Sequence, residues 1–210
     1  MKKVMLIGDS IRLGYQQDVI KELEGEFYVW GTGDNCRFAK YTLNELGRMF
    51  EGFSKDSTPE IDNSLLMPTA ELKGDIVYPD IIHWNNGLWD TSIVCEEDGA
   101  FTPIPEYISY MSKILRELRK VTDKIIFATT TPVKPDNPNQ RNEIIAEYNK
   151  YIVDFMNKEG VAVNDLNALV SSDIDRFISA DNIHLSEDGK AACAKQIARH
   201  VRNIAKGVEI

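Results

Sequence analysis

The sequence predicts an α/β protein, a three-layer α/β/α sandwich built on a five-stranded parallel sheet. Five short apolar runs, the pattern of strands that are covered on both faces, recur along the chain of 210 residues. Segments with the period of an amphipathic helix lie between these runs. Strands that alternate with helices are joined by crossover connections, which favour a parallel sheet with helices on both faces.

The strands are predicted at runs of mostly large apolar residues. These runs are Val4–Ile7, Phe27–Trp30, Ile81–Trp84, Ile125–Ala128 and Val161–Val163. Each run is continuously apolar rather than alternating, which is typical of the buried strands of a parallel sheet.

Helical period is clearest in two segments between the later strands. Their apolar faces are formed by Tyr107, Tyr110, Met111, Ile114, Leu115 and Leu118 in the first and by Ile144, Ile145, Tyr148, Ile152, Phe155 and Met156 in the second. A last helix is predicted to begin after Ser186, a good N-cap that Glu187 and Asp188 follow in the first turn. The stretch from Ser54 to Tyr78 lacks such a period and is interpreted as a long surface connection.

Charge and composition narrow the classes of function. The formal net charge is −9. Binding to nucleic acid or to an anionic membrane surface needs clustered Lys and Arg, and the sequence has no such cluster, so neither partner is expected. No apolar stretch approaches the roughly 20 residues that span a bilayer. The run after Met1 is too short for a secretory signal and stops at Gly8.

Cysteine usage bears on the cellular compartment. Cys36, Cys95 and Cys193 are few, odd in number and far apart, which is typical of a reducing cytoplasm rather than of a disulfide framework or a metal site. The sequence therefore predicts a cytoplasmic protein with one domain over residues 1–210, and neither a metal nor a cofactor is expected.

Polar and small residues follow four of the predicted elements. In open α/β sheets ligands bind outside the carboxyl ends of the strands. The segments at this edge are Gly8-Asp9-Ser10, Gly31-Thr32-Gly33-Asp34-Asn35, Asn85-Asn86-Gly87 and, in a loop after the last strand, Asp181-Asn182-Ile183-His184. Together they contain the parts of an acyl-transfer site.

The chemistry of acyl transfer explains why these residue types matter. A serine hydroxyl is a weak nucleophile until a base removes its proton, and neutral histidine does this near pH 7. The base needs an orienting carboxylate on its other ring nitrogen. One short turn is enough to hold both Asp181 and His184. The tetrahedral intermediate then needs hydrogen-bond donors aimed at its oxyanion.

In order and spacing, the four segments resemble the blocks of the SGNH hydrolases, also called the GDSL esterase/lipase family. The resemblance spans nearly the whole chain and implies a flavodoxin-like SGNH hydrolase fold. It implies that Ser10 is the nucleophile, His184 the base and Asp181 its orienting acid. It further implies an oxyanion hole made of the backbone N–H groups of Ser10 and Gly33 and the side-chain amide of Asn85.

The chain departs from the family pattern in its second and third blocks. The third block usually reads Gly-x-Asn-Asp, but here His83 replaces the glycine and Asn86 replaces the aspartate. Asn85 is aligned with the oxyanion position, and Asn86 stays open as an alternative. Gly33 is preferred to Gly31 because an acidic residue often follows the family glycine.

The residues around the expected site indicate the substrate class. Asn86 and Trp89 are predicted to contact substrate. The other side chains expected near the site are mostly polar: Arg12, Thr32, Asp34, Asn35, Asn85, Asp90 and Asn182. A polar rim favours short acyl groups, acetyl above all, over long apolar chains. The predicted partner is therefore a small-molecule ester, with carbohydrate esters suggested by analogy to the family, and the oligomeric state is left open.

Three other functions compete with a short-acyl serine esterase. A thioesterase or lysophospholipase would use the same residues on another substrate. A catalytically silent α/β domain would bind an acylated or sugar ligand. A flavodoxin-like phosphate-binding domain is disfavoured, because no glycine-rich phosphate loop follows the first strand and because Asp181 and His184 would have no role.

Overall fold

A parallel sheet forms the centre of the fold, as the sequence predicts. In the computed structural model, which describes residues 1–51 and 78–208, the sheet has five strands in the order β2-β1-β3-β4-β5. They are β1 (Lys2–Ile7), β2 (Phe27–Gly31), β3 (Ile81–Trp84), β4 (Ile125–Ala128) and β5 (Ala162–Asn164). Every pairing is parallel. The predicted surface connection from Ser54 to Tyr78 lies, apart from Tyr78, outside the described residues.

Helices cover both faces of the sheet and complete the predicted three layers. They are α1 (Ser10–Glu22), α2 (Ala39–Glu51), α3 (Ile104–Leu118), α4 (Asn142–Lys158), α5 (Leu166–Ser171), α6 (Ile174–Phe177) and α7 (Glu187–Lys206). On one face Val4 and Leu6 of β1 pack in a core with α1, α5 and α7. On the other face Met5 and Ile7 pack in a core with α2, α3 and α4. In the described part of the chain, no helix is long and apolar enough to cross a membrane.

Two elements differ from the pattern read in the sequence. The β5 strand is displaced by one residue from the predicted run, because the backbone of Ala162 pairs with Ile126 and Asn164 pairs with Ala128. The α1 helix has no clear apolar period. Its buried face consists of Ile11, Arg12, Tyr15, Gln16 and Val19, so that a charged and an amide side chain lie inside the protein.

Hydrogen bonds between backbone groups, and from the backbone to the Asp90 side chain, join the loops at the carboxyl edge of the sheet. The Asn85 N–H donates to the carbonyl of Ile7 at 3.0 Å, and the Cys36 N–H donates to the carbonyl of Gly8 at 3.1 Å. The Asp90 carboxyl group accepts from the N–H of Ala39, the first residue of α2, at 3.0 and 3.2 Å. Burial raises the pKa of Asp90 to about 7. These bonds fix the segments after β1, β2 and β3 relative to one another.

The segment between α6 and α7 folds back on itself. Ile178 and Leu185 form an antiparallel bridge, and the Ser179 N–H donates to the carbonyl of His184 at 2.8 Å. The start of α7 packs closely on the end of α6: a Cβ atom added at Gly189 would lie 2.2 Å from the carbonyl oxygen of Phe177. Glycine is required here because backbone atoms occupy the space of a side chain.

We expect Gly189→Ala to destabilise the protein by about 1–3 kcal/mol, because the added methyl group meets backbone and not a flexible side chain. Gly14→Ala is the matched control in α1, where the nearest atom would be the Cε of Lys190 at 3.6 Å. That substitution should stabilise the protein by roughly 0.5–1 kcal/mol, the usual gain of alanine in a helix. Urea unfolding of both variants measures the difference, and equal effects would contradict the close packing of α7 on α6.

Candidate active site

The turn between β1 and α1 presents Ser10 at a helix N-terminus. Asp9 is the N-cap of α1, and its Oδ1 accepts a hydrogen bond from the Ile11 N–H at 3.0 Å. Ser10 is the first residue of the helix, so its own N–H has no partner within α1 and is available to an anion. The partial positive charge of the helix N-terminus favours an anion at the same place.

The folded loop between α6 and α7 brings Asp181 and His184 to this turn. His184 Nε2 lies 2.9 Å from the Oγ of Ser10, although 174 positions separate the two residues. His184 Nδ1 lies 2.7 Å from Oδ2 of Asp181. Serine, imidazole and carboxylate thus form one continuous chain of hydrogen bonds, with the geometry of a nucleophile, a base and an orienting acid.

Asp181 is held as an acceptor by several donors. Its Oδ1 accepts from the Ser179 hydroxyl at 2.7 Å, the His184 N–H at 2.9 Å and the Ile183 N–H at 3.0 Å. Partial desolvation acts to raise the pKa of Asp181, but these hydrogen bonds and the His184 imidazole together hold it well below its usual range. The carboxylate therefore accepts a hydrogen bond from the N–H at Nδ1. This leaves Nε2 to accept a hydrogen bond from the Ser10 hydroxyl. No signal in the sequence had indicated Ser179.

Asn85 lies directly against the turn Gly8–Ser10, the nucleophile turn of the predicted site. Its Nδ2 donates to Oδ1 of Asp9 at 3.0 Å, and only 6% of the residue is exposed. A Cβ atom at Gly8 would lie 2.1 Å from the Asn85 Oδ1, so the amide occupies the space that a side chain at position 8 would fill. The second hydrogen on Nδ2 is left for another acceptor.

Asn86 is held by other parts of the protein. Its Oδ1 accepts from the Trp84 indole at 2.7 Å and from the Thr42 hydroxyl at 3.1 Å, and its Nδ2 donates to the Arg37 carbonyl at 3.1 Å. Only 1% of the residue is exposed. These contacts join the loop after β3 to the start of α2, and they favour Asn85 over Asn86 as a donor at the site.

Gly33 lies exposed in the loop after β2, and both of its neighbours are bound by the guanidinium of Arg12. The Arg12 Nη1 donates to the carbonyl of Thr32 at 2.7 Å, and its Nη2 donates to the Thr32 hydroxyl at 2.9 Å and to the carbonyl of Asp34. Nη2 also donates to the carbonyl of Gly8 at 3.2 Å. One side chain therefore ties the Gly33 loop to the turn that carries Ser10.

The burial of Arg12 corrects its expected place on a polar rim. Arg12 and Asp90 are 0% exposed and Thr32 is 2% exposed, so they lie beneath the site and not around its mouth. Burial lowers the pKa of Arg12, yet a guanidinium keeps its charge in proteins. No signal in the sequence indicated this burial, because α1 has no clear apolar period and a charged residue is ordinarily placed at the surface.

A small pocket lies beside the nucleophile turn. It is a narrow cleft whose space, about 200 Å³, consists largely of gaps between atoms and open solvent and leaves no room for a water molecule. The lining residues are Asp9, Ile11, Asn85, Leu88, Thr129, Thr130, Thr131 and Leu166. Trp89 follows Leu88 in the chain and is 41% exposed. Among the residues that the structure describes, no group of three or more His, Cys, Asp or Glu side chains is arranged to hold a metal ion.

No protein-family model and no curated protein sequence matches the chain. Solved structures do share its fold. A lipase/acylhydrolase from Enterococcus faecalis matches over 97% of both chains with a TM-score of 0.70 at 18% identity. An acetylxylan esterase from Geobacillus stearothermophilus matches over 95% of this chain and 94% of its own, with a TM-score of 0.68 at 14% identity.

A third structure, a carbohydrate esterase family 3 protein from Talaromyces cellulolyticus, matches over 100% of both chains with a TM-score of 0.66 at 16% identity. The chain therefore has the SGNH hydrolase fold that its four sequence blocks predict. At these identities the similarity establishes the fold, and the chemistry rests on the side chains at the carboxyl edge of the sheet.

We expect Arg12→Lys to loosen the loop after β2. The hydrogen-bond donors of lysine all lie on one nitrogen atom, so its ammonium group cannot reach the carbonyls of Gly8, Thr32 and Asp34 together. Each buried acceptor left unpaired costs about 1–3 kcal/mol, so the free energy of unfolding should fall by at least that much. Hydrogen exchange at the Cys36 amide, which bonds to Gly8, should become faster.

Arg202→Lys is the control for this prediction. Arg202 forms a surface ion pair with Glu26 at 2.7 Å, and such pairs contribute little to stability. If Arg12→Lys changed stability and exchange no more than Arg202→Lys does, the buried guanidinium would not be what holds the two loops.

Proposed function

We propose that the protein is a serine esterase that hydrolyses short-acyl esters, acetyl esters in particular, through an acyl-enzyme on Ser10. The observation that carries this proposal is the chain from Ser10 Oγ to His184 Nε2 at 2.9 Å and from His184 Nδ1 to Asp181 at 2.7 Å. The solved structures that share the fold include acylhydrolases and acetylxylan esterases, which supports ester hydrolysis as the class of reaction.

In the first half of the reaction, His184 Nε2 takes the proton of the Ser10 hydroxyl as the oxygen attacks the ester carbonyl carbon. The carbonyl oxygen becomes an oxyanion, which the N–H groups of Ser10 and Gly33 and the amide of Asn85 stabilise. The bond to the alcohol oxygen then breaks, and the alcohol leaves with the proton from His184. The acyl group stays on Ser10.

In the second half, water replaces the alcohol. His184 takes a proton from the water as its oxygen attacks the acyl carbon, and the same donors stabilise the second oxyanion. The bond to Ser10 breaks, the carboxylic acid leaves, and the serine hydroxyl regains its proton. Asp181 stays ionised throughout and stabilises the charged imidazole, consistent with its lowered pKa.

The described surroundings of Ser10 favour a small acyl group. The cleft beside the Gly8–Ser10 turn is narrow, and both polar residues such as Asp9 and Asn85 and apolar residues such as Leu88 line it, so it offers no room for a long chain. Burying each methylene contributes roughly 0.8 kcal/mol only where an apolar groove receives it. The side chains of His184 and Asp181 are 44% and 50% exposed, which leaves room beside them for a large polar alcohol such as a carbohydrate.

Labelling with a fluorophosphonate tests the proposed chemistry. The probe reacts with a serine that a base has activated, so peptide mass spectrometry should locate the adduct on Ser10. Ser10→Ala should fold normally and lose both labelling and hydrolysis of p-nitrophenyl acetate. Ser112→Ala, at an exposed serine of α3, serves as a control for loss of a hydroxyl and should still be labelled on Ser10. Adduct formation that persists in Ser10→Ala would refute the assignment.

A series of p-nitrophenyl esters from acetyl to palmitoyl tests the acyl preference. The value of kcat/KM should be highest for acetyl or butyryl and should fall beyond hexanoyl, because the described residues near the site supply no long apolar groove. A maximum at decanoyl or longer chains would instead favour the lysophospholipase or thioesterase alternative.

A further inference from the structure

The helix that begins at Ser10 also carries a buried tyrosine that touches Asn85. Tyr15 is 0% exposed, and its hydroxyl donates to the Oδ1 of Asn85 at 3.0 Å. Burial raises the pKa of Tyr15 well above its usual value, so the hydroxyl keeps its proton and remains a donor. The contact joins the middle of α1 to the loop after β3.

Two neighbours hold the Asn85 amide, one at each end. Oδ1 of Asp9 already accepts from the Ile11 N–H and accepts from the Asn85 Nδ2 as well. On the other side, Tyr15 donates to the Asn85 Oδ1. Turning the amide over would place its oxygen against the Asp9 carboxyl oxygen, whereas a tyrosine hydroxyl can either donate or accept. The contact with Asp9 therefore sets which way the amide faces, and the contact with Tyr15 anchors its oxygen end.

The ring of Tyr15 packs against His83, which is itself held by hydrogen-bonded side chains of neighbouring elements. It lies edge-on to the ring of His83, with centroids 6.1 Å apart and an interplanar angle of 80°. His83 Nε2 lies 3.2 Å from Nδ2 of Asn164, whose Oδ1 accepts from Gln196 at 2.9 Å. Side chains of β3, β5 and α7 thus support the tyrosine that contacts Asn85.

We propose that Tyr15 is a positioning residue, which anchors the oxygen of the Asn85 amide so that one N–H bonds to Asp9 and the other stays free for the oxyanion. This inference rests on the proposed esterase function and assigns to it a residue that makes no contact with the reacting atoms. Without the hydroxyl, the amide loses one of the two bonds that hold it. Its N–H₂ then spends less time where an oxyanion forms.

A double-mutant cycle with p-nitrophenyl acetate tests the proposal. Asn85→Ala should lower kcat by about 10²–10³ with KM changed much less, because an oxyanion donor acts mainly in the transition state. Tyr15→Phe should lower kcat roughly tenfold, the size of one lost neutral hydrogen bond. In the Asn85→Ala background, Tyr15→Phe should change kcat less than about twofold, since no amide is left to orient.

Tyr148→Phe is the matched control, because Tyr148 is also buried and donates its hydroxyl to a backbone carbonyl, that of Thr102. It should leave kcat within about twofold of the parent protein. Equal losses from Tyr15→Phe in both backgrounds would overturn the proposal, and so would a kcat unchanged by Tyr15→Phe. Urea unfolding of each variant ensures that only folded protein is compared.

A second readout does not depend on activity. The Asn85 side-chain amide, identified in heteronuclear NMR spectra by its loss in Asn85→Ala, should broaden or shift in Tyr15→Phe and stay unchanged in Tyr148→Phe. An unchanged Asn85 signal in Tyr15→Phe would overturn the positioning role even if the protein hydrolysed no ester. Failure of the proposed function is recognised separately, by absent fluorophosphonate labelling of Ser10.

Discussion

The buried guanidinium of Arg12 is the contact on which the geometry of the site depends. Its hydrogens reach three backbone carbonyls, those of Gly8, Thr32 and Asp34, and the side-chain oxygens of Thr32 and Gln16. A charge removed from water costs several kcal/mol unless such bonds replace its hydration. Because one rigid fork binds the loops after β1 and β2, neither loop can move without leaving buried groups unpaired.

Helix α1 combines the reactive group with the groups that arrange its surroundings. Ser10 begins the helix, Arg12 fixes the loop that contains Gly33, and Tyr15 contacts Asn85. Arg12 and Tyr15 are three positions apart and lie side by side on the buried face of the helix, whereas Ser10 occupies its first position. The polar character of this face follows from its place over the carboxyl ends of the strands, where loop carbonyls need donors.

Two carboxyl groups near Ser10 lie in opposite environments. Burial raises the pKa of Asp9, whose Oδ1 is used by Ile11 and Asn85. At Asp181 desolvation is outweighed by hydrogen bonds, so the pKa falls and the carboxylate faces the imidazole of His184. The residue adjacent to the serine in sequence therefore shapes the turn, whereas the distant one completes the hydrogen-bond chain, a division of roles that environment sets.

The sequence by itself determined the layered fold and the edge of the sheet at which the site lies. Short continuous apolar runs that alternate with helical segments favour strands buried on both faces, and parallel strands bring their carboxyl ends together, which places Ser10, Asn85 and His184 at one edge. Their contact distances, and the contacts that favour Asn85 over Asn86, required the tertiary structure, because adjacent side chains on a turn point in different directions. Burial of Arg12 and Asp90 was likewise decided only there. A charged residue is ordinarily placed at the surface, and only buried hydrogen-bond partners contributed by loops distant in sequence, such as those that both terminal nitrogens of Arg12 reach, reverse that preference.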